Sequence, residues 1–201
     1  MEESGVDRKR RRLLTAAVGV VGGTGAALGA VPFLSAMLPS AKAKAIGAPV
    51  ELDISKIEPG QRVIVPWRGR PVWVIRRTPE MVERLKTLND RLLDPDSQQE
   101  QQPDYAKNAQ RSIKPEILVL VGLCTHLNCS PALEPADTDN EAVGPDWPGG
   151  FFCPCHGSKF DLAGRVFKSV PAPLNLIVPP YKYLDDKRLL IGLDDKKASV
   201  S

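Results

Sequence analysis

The sequence predicts an all-β domain of antiparallel strands carried behind one N-terminal transmembrane helix. Three observations carry that expectation. From Leu13 to Ala41 no residue is charged. After residue 49, short runs of alternating or continuous apolar residues are separated by Gly, Pro and Asp turns, the pattern of antiparallel strands. Finally, all four cysteines and both histidines of the 201-residue chain fall in two short segments.

The N-terminal third reads as a membrane address. Residues 13–38 are mostly Ala, Gly, Val and Leu, longer than the roughly 20 residues that cross a bilayer core and than the roughly 7–15 of a cleaved signal. Residues 1–12 form a basic tail with Arg8, Lys9, Arg10, Arg11 and Arg12, which predicts a cytoplasmic N-terminus and a periplasmic domain in a bacterial inner membrane. Arg10-Arg11-Arg12-Leu13-Leu14 fits a twin-arginine export signal. Ala41-Lys42-Ala43 is similar to a signal-peptidase site, but the length of the span predicts retention as a single-pass anchor. Gly19, Gly23, Gly25 and Gly29 supply two small-xxx-small pairs suited to a partner helix. Residues 39–49, rich in Ala and Lys, read as a flexible tether; ten residues span about 15 Å as helix and about 33 Å extended.

Residues 50–201 carry the strand pattern. Val50, Leu52 and Ile54 alternate with polar residues; Val63-Ile64-Val65, Val72-Trp73-Val74-Ile75 and Ile117-Leu118-Val119-Leu120-Val121 read as strands. Leu174 to Val178, Tyr181-Lys182-Tyr183 and Leu189-Leu190-Ile191 complete the expected sheets. Thr78-Pro79-Glu80 predicts a helix start, with Met81, Val82, Leu85 and Leu88 on one face. The polar stretch from Asp94 to Lys114 reads as a surface excursion without a function. A net charge of +3, concentrated at the N-terminus, and the low aromatic content predict no nucleic-acid partner.

The chemistry lies in two boxes, Cys124-Thr125-His126-Leu127-Asn128-Cys129 and Cys153-Pro154-Cys155-His156-Gly157-Ser158. Two thiolates and two imidazoles suit either a tetrahedral zinc or an iron–sulfur cluster of mixed ligation. From the basic tail and span, through Trp67-Arg68-Gly69 and both boxes, to Pro171-Ala172-Pro173-Leu174-Asn175-Leu176, the chain resembles the Rieske iron–sulfur subunits of bacterial ubiquinol–cytochrome c reductase. The resemblance implies an all-β Rieske-type antiparallel sandwich, a base subdomain plus a small cluster-binding subdomain at about 120–175. It implies one 2Fe-2S cluster with Cys124 and Cys153 on one iron, His126 and His156 on the other, and a disulfide between Cys129 and Cys155. A zinc site leaves those last two cysteines unexplained; the Rieske arrangement uses all six residues. A cluster inserted in the cytoplasm also suits export in the folded state.

The ligand set has a consequence of its own. Two ferric ions, two sulfides and two thiolates cancel, because neutral histidines add no charge, so an added electron meets no net negative charge. Mixed ligation therefore gives roughly −150 to +300 mV against about −400 mV for all-cysteine ferredoxins. The resemblance further implies that His156 contacts ubiquinol and that Leu127, which would otherwise fill a loop core, shields the cluster; His156 is then expected to accept the quinol proton, and a hydrogen bond from Ser158 to a cluster sulfide would raise the potential. High-potential relatives carry Tyr where this chain has Phe160, which implies a somewhat lower potential here. Glycine is usual at Asn128 and Ser169. The implied partners are cytochrome b and a membrane-bound c-type cytochrome in a dimeric, proton-translocating reductase. A competing expectation is the Rieske small subunit of a periplasmic molybdenum oxidase such as arsenite oxidase.

Overall fold

In the computed structural model, residues 7–40 and 47–194 are described. Most of the tether, the Ala41-Lys42-Ala43 motif and the last seven residues fall outside them. Two compact units result, residues 1–45 and 46–201.

The first unit is helix α1, Arg8–Ala36. Its start is set by Asp7, whose carboxylate accepts from the backbone N–H of Lys9 and Arg10 at 3.0 and 3.2 Å, satisfying donors that no helical carbonyl can reach. The helix thus begins inside the basic tail, and the arginine run forms its first turns. It is long and apolar enough to cross a membrane. At about 1.5 Å per residue its length exceeds the roughly 30 Å bilayer core. Pro32 lies within it and removes one backbone bond near its C-terminal end.

Among the described residues the second unit holds nine strands: β1 Val50–Asp53, β2 Arg62–Trp67, β3 Arg70–Arg76, β4 Ile117–Val121, β5 Ala132–Glu134, β6 Gly150–Phe152, β7 Lys159–Phe160, β8 Tyr181–Tyr183 and β9 Arg188–Ile191. They form three antiparallel sheets, β1-β9-β8, β2-β3-β4 and β5-β6-β7. The β2–β3 hairpin turns on Arg68 and Gly69, both at positive φ (51° and 71°), matching the right-handed strand twist. One core joins the first two sheets: Val72, Trp73, Val74 and Leu118 to Leu120 meet Tyr181, Leu189 and Ile191. Strand β4 is buried along its whole length, as its unbroken apolar run predicts. Directly after it, a Cβ on Gly122 would collide with the Trp73 indole. Glycine there lets the chain cross the core and deliver Cys124.

The structure corrects three expectations and adds one small sheet. Leu174 to Val178 is not a strand. Its backbone is satisfied piecemeal instead: Leu176 N–H donates to Gly164 O, Val121 N–H donates to Ile177 O, and Val178 N–H donates to Gln101 O. Prolines on both sides prevent a continuous ladder. Helix α2 is only Pro79–Arg84, with Thr78 Oγ1 accepting from Met81 N–H, and gives way to 3-10 turns at Leu85–Thr87 and Asn89–Arg91. Leu85 and Leu88 are nevertheless buried, as their spacing predicts. Strands β5 to β7 have only two or three residues each, too few to show alternation. Lastly, the 94–114 segment is not a mere surface excursion, since it buries Ser97, Ala106, Arg111 and Ser112.

Candidate metal centre

The two boxes sit on loops of matching geometry. In box one, Cys124 N–H donates to Cys129 O at 2.7 Å and Asn128 N–H donates back to Cys124 O at 2.9 Å. In box two, Cys153 N–H donates to Ser158 O at 2.8 Å and Gly157 N–H donates to Cys153 O at 2.9 Å. Each loop closes through one residue at positive φ, Asn128 (62°) and Gly157 (77°). Asparagine tolerates that backbone better than most residues. Ser169, also at a position where glycine was expected, has φ 61°.

These loops bring the six chemistry-bearing residues together. Cys129 and Cys155 are joined as a disulfide, while Cys124 and Cys153 are free thiols and buried. The sulfur of Cys153 lies within 4.8 Å of both disulfide sulfurs. That trio is no ligand set, because two of its members are spent on each other. The His126 and His156 rings meet edge to face with centroids 4.8 Å apart. Burial pushes the Cys153 thiol above its ordinary range; backbone hydrogen bonding from Cys155 opposes the rise and the neighbouring Cys124 adds to it. A bound multiply charged cation would hold such buried thiols as thiolates. Nδ1 of His126 is buried with no hydrogen-bond partner, an arrangement that costs free energy unless something binds there. The donor set of two soft sulfurs and two imidazoles therefore fits a metal centre.

The surroundings divide by function. Thr125 Oγ1 donates to Leu174 O at 2.6 Å, and Ser158 Oγ accepts from Ala172 N–H at 3.0 Å, so the proline loop braces both boxes. With its lone pair so engaged, the Ser158 hydroxyl retains its proton for donation. Leu127 is 64% exposed and does not fill a loop core, and His156 is also exposed. Phe160 is fully buried and pairs with Phe151 across β6 and β7.

Residues 99–182 match the family described as Rieske [2Fe-2S] domain, and residues 1–40 match the ubiquinol–cytochrome c reductase iron–sulfur subunit TAT signal. The chain is 57% identical to the ubiquinol–cytochrome c reductase iron-sulfur subunit of Allochromatium vinosum, over 96% of this chain and 93% of that one. It is 42% identical to the same subunit of Rhodospirillum rubrum, over 94% of each. This chain belongs to the Rieske iron–sulfur subunits of ubiquinol–cytochrome c reductase. Among solved structures, a chain of a hyperthermophilic respiratory complex III is similar at 30% identity and TM-score 0.48, covering 89% of this chain and 98% of that one.

The fold is accordingly the Rieske fold, its cofactor is a [2Fe-2S] cluster, and its N-terminal helix with the twin-arginine signal marks a membrane-anchored bacterial subunit of complex III. What sequence reasoning missed in this Rieske domain is a set of buried charges behind box two. Arg165 Nε donates to Asp161 Oδ2 at 2.7 Å with both side chains fully buried. Its other nitrogens reach Leu85 O, Pro95 O and Asn89 Oδ1. Arg77 binds the carbonyls of Pro115, Gln110 and Leu162 and the Ser112 hydroxyl. Arg111, from the supposed excursion, reaches Ala163 O, Gly164 O and Gln102 Oε1. Burial lowers the pKa of Arg77 and Arg111 to about 10, still far above neutrality, so both remain cations. Together the three arginines clamp the 161–165 turn that follows box two. Nothing in an isolated Arg codon distinguishes such a clamp from a solvated surface charge.

Proposed function

We propose that Cys124 and Cys153 bind one iron of the cluster and His126 and His156 the other. On this reading the domain carries electrons from ubiquinol, bound beside cytochrome b, to a membrane-bound c-type cytochrome. The assembly is a dimeric, proton-translocating ubiquinol–cytochrome c reductase of the bacterial inner membrane. The observation that carries the proposal is the pairing, across twin loops, of two buried free thiols and of two imidazoles, in a chain 57% identical to a subunit of that name.

When bound, the cluster supplies a one-electron carrier at the high end of iron–sulfur potentials. The chain's own residues do the rest. Buried Cys124 and Cys153 sit on the inner side, and exposed His156 sits where a quinol headgroup can reach it. One ring nitrogen of the exposed His156 would hold iron, and the other would accept the quinol proton and later release it. Leu127 offers an apolar surface next to the imidazoles, suited to an isoprenoid quinone and to excluding water. The Cys129–Cys155 bridge ties the two loops across 26 residues of sequence, and such a bond persists in an oxidising compartment such as the periplasm. The basic residues before the apolar run support a cytoplasmic N-terminus. Residues 13–38 then anchor the domain, and residues 39–49 give it the reach to visit both partners.

The test is the company the chain keeps in detergent-solubilised membranes. A cytochrome b and a c-type cytochrome are expected to copurify with it, with ubiquinol-dependent cytochrome c reduction lost in His156→Ala. Copurification with a molybdenum protein instead would overturn the proposal.

A further inference from the structure

Beside box two lies a groove of about 510 Å³ that the cluster chemistry does not use. Three cations line it, Arg91, Lys159 and Lys168, together with Gly157, which directly follows His156. They come from three segments tied to one another: Lys168 N–H donates to Arg91 O at 2.9 Å, and Phe167 N–H donates to Lys159 O at 3.1 Å. Each cation is fixed by a neutral carbonyl. Arg91 Nη1 donates to Asp146 O at 3.2 Å, Lys159 Nζ to Val143 O at 2.8 Å and Lys168 Nζ to Asp90 O at 2.8 Å. The Arg91 guanidinium also lies over the Phe167 ring, 5.2 Å from its centroid.

Among the described residues none of the three has a carboxylate within ion-pair distance, although Asp90 adjoins Arg91 in sequence and Asp146 supplies it a backbone carbonyl. An arginine has five donors and a lysine three, so each keeps donors to spare. Three oriented, uncompensated cations on one side of the exposed histidine form a surface for negative charge. A neutral quinol headgroup gains nothing from it.

We infer that this cationic flank docks carboxylates on the surface of the c-type cytochrome that accepts the electron, whereas the apolar Leu127 serves the quinol side. The inference rests on the proposed electron-transfer role. One tip would then discriminate between its two stations by chemistry, an apolar contact for the donor and a charged one for the acceptor. Exposed charge pairs of this kind are modest and salt-sensitive.

The test uses the intact membrane complex, with the two steps resolved by rapid mixing over a range of ionic strength. In the wild type, electron passage from cluster to cytochrome is expected to slow as salt rises. Lys168→Gln and Arg91→Gln should each slow it by about two- to fivefold at low salt and flatten the salt dependence. Both variants should leave ubiquinol-dependent cluster reduction and the cluster's electron paramagnetic signal unchanged, and Lys168→Arg should retain the wild-type rate. Wild-type rate and salt dependence in both Gln variants would overturn the inference. If the wild-type cluster passed no electron to a cytochrome at all, the underlying electron-transfer role would fall with it.

Discussion

The body and the tip of the Rieske domain differ in what they enclose and what they expose. Behind the ligand loops, charges are buried with partners: Arg165 and Asp161 are fully enclosed, and Arg77 donates four hydrogen bonds. The tip exposes Leu127 and His156, leaves His126 Nδ1 without a partner, and holds non-glycine residues Asn128 and Ser169 at positive φ. Orphaned buried polar atoms and non-glycine residues at positive φ also occur away from the tip, Trp73 Nε1 and Arg111 Nε among the first and Arg68, Ser97 and Arg111 among the second, so what sets the tip apart is that its orphaned atom is a nitrogen able to ligate metal. The body is built to be finished on folding, the tip to be finished by a ligand.

The comparison breaks most visibly if the body is opened. Asp161→Asn leaves Arg165 as an uncompensated buried cation, and thermal or denaturant unfolding should show a loss of about 3–5 kcal/mol. An unfolding midpoint like the wild type's would mean that the clamp is not structural. At the tip, Cys129→Ser frees a 26-residue loop, which on loop-closure grounds is worth about 3–4 kcal/mol. Here the cluster signal should be lost on mild heating while far-ultraviolet dichroism still reports intact sheets. Simultaneous loss of both would erase the distinction between the two regions.

Smaller changes sharpen the division within the tip. Ser158→Ala leaves Ala172 N–H buried without an acceptor, a cost of about 1–3 kcal/mol. It should also lower the cluster midpoint, because a hydrogen bond worth about 1 kcal/mol more to the reduced state corresponds to about 40 mV for one electron. A stability loss with an unchanged potential would assign Ser158 to bracing the proline loop alone. Phe160→Tyr is expected to move the midpoint the other way by a similar amount, with only a small change in stability. A potentiometric titration of reduced signal against ambient potential reads both.

The legibility of these two regions differed for physical reasons. Cys124, His126, Cys153 and His156 stood out because few residue types ligate metals and these occur nowhere else in the chain. The core strands β3 and β4 were legible because continuous apolar runs report burial. The same signal misled at Leu174 to Val178, since burial says nothing about which backbone groups satisfy the segment. The clamp was hidden because Arg77, Arg111 and Arg165 become interior only through carbonyls that folding brings from distant segments. Asn128 and Ser169 were noticed as departures from glycine, and their positive φ explains why the position matters.

The central claim is that two imidazoles and two thiolates share one cluster. Pulsed electron paramagnetic resonance of the dithionite-reduced protein tests it most directly. Strong couplings to two distinct imidazole nitrogens are expected, with one lost when His126 is replaced by Ala under conditions that retain any cluster. A reduced-state signal showing no nitrogen coupling, or a colourless protein with no such signal at all, would contradict the account.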